Sequence, residues 1–125
     1  MNTRALRSFL VQLTQRLQIE SDLTTVLVSD STIQQYNRRF RGKDEATDVL
    51  AFPSGEDALP GEEPYLGDIM ISAETACRQK RETLVEELNT LTLHAVLHLL
   101  GYDHEVDRGE MERLERELRK ELQLH

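Results

Sequence analysis

Three of the chain's four histidines fall in one short segment, His94-Ala95-Val96-Leu97-His98-Leu99-Leu100-Gly101-Tyr102-Asp103-His104. Residues four apart on a helix share a face, so the imidazoles of His94 and His98 project together and can hold one metal ion. Gly101 suits a left-handed helix cap, and three further residues bring His104 back toward the pair. Three nitrogen ligands with one position left open is the pattern of a catalytic zinc site, whereas structural zinc usually takes four protein ligands. The spacing therefore predicts one zinc ion per chain on His94, His98 and His104. Without a metal, two imidazoles on a mostly apolar helix would each need a separate buried partner, a costly arrangement. His125, the remaining histidine, reads as solvated.

The spacing H-x-x-x-H-x-x-G-x-x-H is also the ligand frame of metzincin-type proteases, which place Glu directly after the first His as general base. Here that position is Ala95, and no other Glu lies on the His94/His98 turn. Peptide hydrolysis then lacks the carboxylate that takes the proton of water and passes it to a leaving amine.

These residues need elements to hold them. Leu6, Phe9, Leu10, Leu13 and Leu17 recur at helical spacing, predicting an amphipathic helix over about 3–18. Thr24 to Val28 reads as a strand, and Ser31-Thr32-Ile33-Gln34 as a capping box opening a helix to about Arg39. Asp48 to Phe52 and Leu66 to Ile71 have strand length and are joined by a loop holding Pro53, Pro60 and Pro64 with Glu56, Asp57, Glu62 and Glu63, which reads as an acidic excursion. A helix over about 73–81 follows. Thr83-Leu84-Val85-Glu86 is a second capping box, opening a helix to about Leu100 that is apolar on almost every side from Leu91 and so buried. Glu110 to Leu124 reads as a charged helix with Met111, Leu114, Leu118 and Leu122 facing inward. The pattern predicts an α+β fold, a small mixed sheet of three to four strands flanked by about five helices, with the three-histidine metal site on the central helix.

A chain of 125 residues fits one domain, 1–125, and its 38% apolar content is too high for a disordered tail. The longest apolar run, Val49-Leu50-Ala51-Phe52, is too short for a membrane span or the core of a signal peptide, so neither membrane insertion nor export by that route is expected. The single cysteine, Cys77, fits a reducing cytoplasm and excludes a cysteine-based zinc site. A net charge of −8 argues against a phosphate-backbone partner, but the total hides a division. Residues 1–43 hold seven Lys or Arg against three acids, giving +4, while residues 44–125 hold eight against twenty, giving −12. Such asymmetry leaves room for a local phosphate-binding patch.

The histidine segment resembles the H-G-x-L-H-L-L-G-Y-D-H signature of the bacterial YbeY endoribonucleases, also called rRNA maturation factors. Thr47-Asp48-Val49-Leu50-Ala51-Phe52-Pro53 is similar to that family's T-D-V-L-S-F-P, and Leu66-Gly67-Asp68-Ile69-Met70-Ile71-Ser72 to its L-G-D-I-x-I-S. Asn37-Arg38-Arg39-Phe40-Arg41 corresponds to N-x-x-Y-R, which places the family's functional arginine on Arg41. The likeness runs from about residue 24 to 111. Ala95 stands where the family has Gly, Ala51 where it has Ser, and Phe40 where it has Tyr. Family members usually begin with a strand before the first helix, whereas here the helical pattern starts at once, so the sheet is expected to be one strand smaller or differently covered at its edge.

The resemblance implies a single-strand-specific, zinc-dependent endoribonuclease acting in maturation of the 16S rRNA 3′ end and in ribosome quality control, in the cytoplasm. It implies RNA and the small ribosomal subunit with its associated proteins as partners, not a membrane or DNA. Arg41 would hold a phosphate through two parallel guanidinium hydrogen bonds, with Arg38, Arg39 and Lys43 extending the basic patch. Asp103 would either orient an imidazole or simply form the turn, and Asp48 and Asp68, at strand ends near the presumed site, would either serve the site or cap structure. Two other readings remain open: a ribosome-assembly factor whose metal is structural, and a metalloprotease on the metzincin-like frame.

Overall fold

The computed structural model describes residues 3–54, 64–103 and 105–122. The order of elements is α1 (Arg4–Arg16), β1 (Asp22–Val28), α2 (Asp30–Arg41), β2 (Val49–Pro53), β3 (Tyr65–Ser72), α3 (Ala73–Gln79), α4 (Leu84–Leu99) and α5 (Glu110–Glu121). Among the described residues the architecture is α+β, with five helices and a three-stranded mixed sheet ordered β1-β3-β2. β1 runs parallel to β3 and β2 antiparallel to it, which leaves β2 at one edge. The acidic excursion at Glu56, Asp57, Glu62 and Glu63, and Pro60 with it, lies outside the described residues, as does His125.

Alternation along the strands divides the molecule into two packed layers. Ile69 and Ile71 of β3 face a core built from Leu6, Phe9 and Leu13 of α1 and Leu93, Val96 and Leu97 of α4, with Val49 and Ala51 of β2 packed against it. Met70 turns the other way, to Leu50 and to Ile33 of α2. Gly67 has no room for a side chain: a Cβ there would sit 2.4 Å from the Phe52 carbonyl oxygen and 2.8 Å from Leu99 Cδ2. Helix α4 thus seats directly against the strands. The expected inward stripe of α5 holds, with Met111 and Leu118 buried and Leu114 and Leu122 packed at the margin.

The start of α2 differs from the sequence expectation. Ser29, not Ser31, is the N-cap: its backbone is extended (φ −84°, ψ 165°) and its hydroxyl accepts the Thr32 N–H at 3.2 Å. Gln34, expected to close the box, instead donates to the Asp44 carboxylate at 3.1 Å, clamping the loop that follows the helix. Asp30 then opens α2, and its carboxylate accepts the Ser72 hydroxyl, the Thr75 hydroxyl (2.6 Å) and the Arg78 guanidinium (2.7 Å). Those bonds hold its pKa down at about 2 and tie α2 to α3. The second capping box is as expected, Thr83 Oγ1 accepting the Glu86 N–H at 3.1 Å.

Candidate active-site cleft

Helix α4 ends where its sequence says it should. Gly101 is left-handed (φ 98°), its N–H donates to the His98 carbonyl at 3.0 Å, and the Tyr102 N–H donates to the Leu97 carbonyl at 3.0 Å. This pair of bonds satisfies the last carbonyls of the helix and fixes its final turn, the turn that carries His98. Leu93, Val96 and Leu97 are buried in the core, so rotation by 100° per residue leaves His94 and His98 on the flank, half-buried and turned into a cleft of about 390 Å³.

The two imidazoles meet through their Nε2 atoms, 3.0 Å apart, with ring centroids separated by 4.6 Å and planes crossed at 74°. His94 Nδ1 is 2.6 Å from Glu115 Oε1 on α5. A carboxylate only accepts, so His94 carries a proton on Nδ1 and turns Nε2 toward His98 in the cleft. That hydrogen bond was missed in the sequence, although a signal existed. Glu115 lies four residues after Met111 and three before Leu118, which places a carboxylate beside the inward stripe of α5. Asp107 sets where that helix begins, its carboxylate accepting the N–H groups of Gly109 (2.8 Å) and Met111 (3.0 Å).

This geometry fits a metal. Two nitrogens each about 2.0–2.1 Å from a tetrahedral zinc lie about 3.3 Å apart, so the observed Nε2 pair needs only a small spreading. The carboxylate on the far nitrogen of His94 is the arrangement that orients metal-bound histidines in general. His104, the third expected ligand, lies outside the described residues, and among the described residues no group of three or more His, Cys, Asp or Glu side chains is placed to hold a metal ion.

Arg41 reaches this cleft from the last turn of α2 and is exposed at its mouth. Gly42, left-handed at φ 71°, stops the helix, and buried Asn37 donates to the Glu45 carbonyl at 2.9 Å, pinning the loop against it. Asp48 also lines the cleft. Gln79 donates to its carboxylate at 3.1 Å and to Glu87 at 2.8 Å, bracing two acids on one rim. Arg119 of α5 completes a mixed-charge wall.

Two sequence expectations change here, and the turn reading of Asp103 gains support. Asp68 is not near the site: it falls within β3 on the face opposite Ile69 and Ile71, where the Tyr65 hydroxyl donates to it and thereby raises the tyrosine pKa. Arg38 and Arg39 flank a separate depression on the outer side of α2, and Lys43 is exposed beyond Gly42, so of the four basic residues only Arg41 lines the cleft. Asp103 acts as a turn residue, its carboxylate accepting the Glu105 N–H at 2.9 Å, and it does not line the cleft.

Fold and cleft together define an α+β protein whose central helix carries a converging histidine pair. The chain belongs to the endoribonuclease YbeY family: the family model described as Endoribonuclease YbeY matches residues 2–123. A protein named Endoribonuclease YbeY from Solibacter usitatus is 50% identical over 103 residues, covering 80% of this chain and 65% of that relative, so the match spans just under two thirds of its length. The protein of the same name from Koribacter versatilis is 44% identical over 124 residues, covering 97% of this chain and 78% of the relative. The solution structure of TM1509 from Thermotoga maritima is similar with a TM-score of 0.62 and 29% identity, over 97% of this chain and 83% of that one.

Proposed function

We propose that this protein is a single-strand-specific, zinc-dependent endoribonuclease that matures the 3′ end of 16S rRNA and takes part in ribosome quality control. The observation that carries this reading is the convergence of His94 Nε2 and His98 Nε2 in the cleft that Arg41 also lines, in a chain whose relatives are named endoribonucleases. His94, His98 and His104 would hold the metal, which when bound supplies Lewis acidity for activating water or polarising a phosphoryl oxygen at neutral pH. Glu115 keeps His94 in the tautomer that offers Nε2, and the Arg41 guanidinium clamps a phosphate through paired N–H bonds at the mouth. The half-burial of the imidazoles limits the water around them and strengthens those contacts. RNA, the small ribosomal subunit and its associated proteins are the partners, and the cytoplasm is the location. No helix among the described residues is long and apolar enough to cross a membrane.

Elemental analysis joined to RNA cleavage tests this. Wild-type protein is expected to carry about one zinc per chain and His98→Ala none. Arg41→Ala is expected to keep the metal and the melting temperature, because an exposed arginine contributes little to stability, yet lose most cleavage of single-stranded RNA, with Arg41→Lys restoring part. Equal cleavage by all three forms at the same salt would favour the assembly-factor reading. Chelator-sensitive peptide hydrolysis without RNA cleavage would favour the protease.

A further inference from the structure

We propose that the groove on the other face of the sheet is a stacking site for one unpaired base of the RNA strand that Arg41 meets, an inference that rests on the endoribonuclease reading. The chain has only three Tyr, three Phe and no Trp, yet Tyr36, Phe40 and Phe52 gather here. Tyr36 and Phe40, four apart on α2, lie nearly parallel (15°) with centroids at 5.9 Å, and Phe40 meets Phe52 edge-on at 5.5 Å. Phe40 is 57% exposed and Tyr36 38%, so these two rings face solvent, while Phe52 packs against the Ile33, Leu50 and Met70 core. The groove beside it, about 360 Å³ and mostly apolar, falls in the range of small-ligand pockets.

The occupant follows from the charges beside it. The Arg39 guanidinium sits 5.5 Å from the Phe40 ring centroid, and Arg38 and Arg39 line the neighbouring depression that shares Tyr36 with the groove. Exposed rings flanked by arginines are the construction by which proteins hold single-stranded nucleic acid, the rings taking base faces and the cations the phosphates. Asp68 also lines the groove; it would repel a phosphate, but it accepts the exocyclic amine of a base. Helix α2 joins the two sites. Phe40 and Arg41 are adjacent, and a helical step of 100° sends one to Phe52 and the other to the histidine cleft on the opposite side of β2. β2 is an edge strand, so a nucleotide chain can round it from one face to the other.

The test uses the protein as purified and the anisotropy of a short fluorescein-labelled single-stranded RNA whose phosphorothioate linkages resist cleavage, so that RNA is bound without being cut. Phe40→Ala is expected to weaken binding by about fivefold or more and Phe40→Trp to restore it, with melting temperatures like wild type because the ring is more than half exposed. An oligomer of the same length lacking its bases should bind both wild type and Phe40→Ala equally. Undiminished binding of the intact RNA by Phe40→Ala, or an equal loss on the base-free oligomer, would overturn the stacking site; the first of these leaves the groove to a protein partner. Failure of wild type to bind any RNA would overturn the endoribonuclease reading and the stacking site together, an outcome distinct from the other two.

Discussion

On the proposed zinc site, removing the Glu115 carboxylate should weaken zinc binding without touching either imidazole. The carboxylate accepts from His94 Nδ1 at 2.6 Å, a short charge-assisted bond that fixes both the ring orientation and the tautomer. In Glu115→Ala the ring is free to turn and to move its proton to Nε2, the nitrogen that faces His98 Nε2 at 3.0 Å. Loss of such an outer partner costs roughly 10–100-fold in metal affinity. Here the side chains of His94 and Glu115 keep 34% and 27% of their surface, so water screens the pair and the lower end applies, about tenfold or about 1.4 kcal/mol. Glu115→Gln, which keeps an acceptor oxygen but no charge, should fall between wild type and Ala. Titration of apoprotein with zinc against a chelating indicator reads the affinities, with His98→Ala as the zero. Wild-type affinity in both Glu115 variants, alongside loss in His98→Ala, would refute the orienting role.

Two further outcomes follow from the packing. Asp30 is held at about pKa 2, first by the Ser72 hydroxyl, then by Thr75 and Arg78, so its contribution is present above the unfolded value near 3.9 and is lost as pH falls from about 4 toward 2. Asp30→Asn should therefore melt below wild type at neutral pH, with the difference closing across that window; a difference unchanged at pH 2 would contradict the assignment. Gly67→Ala should destabilise by about 3 kcal/mol in urea unfolding, since its Cβ would lie 2.4 Å from the Phe52 carbonyl oxygen at φ 151°, and a loss under about 1 kcal/mol would show that the strands shift freely.

Local signals carried the fold further than they carried the site. The convergence of His94 and His98 was legible because both residues sit on one helix, and a spacing of four needs no tertiary knowledge to become a shared face. The cap at Gly101 and the box at Thr83 were legible for the same reason. The false start at Ser31 shows the limit: Ser29 and Ser31 are both competent caps, and the choice fell to Asp30, whose bonds to Ser72, Thr75 and Arg78 cross more than forty residues of sequence. Glu115 belongs to that second kind. Its partner lies on another helix, and nothing but burial periodicity separates it from the solvated acids around it.

The placement of Asp68 has the same origin, and it bears on function. The T-D-V-L-A-F-P and L-G-D-I-M-I-S segments invite the reading that both aspartates serve one site, but a strand sends successive side chains to opposite faces. Asp48 precedes β2 and reaches the histidine cleft, while Asp68 lies within β3 and faces the aromatics. The same alternation sends Val49 and Ala51 to one side of β2 and Leu50 and Phe52 to the other. A single edge strand therefore separates the imidazole pair from the exposed rings, and the last turn of α2 straddles it, with Arg41 on one side and Phe40 on the other. Any ligand long enough to touch both must bend around β2, which suits a flexible single strand of nucleic acid and excludes a rigid duplex from occupying both faces at once.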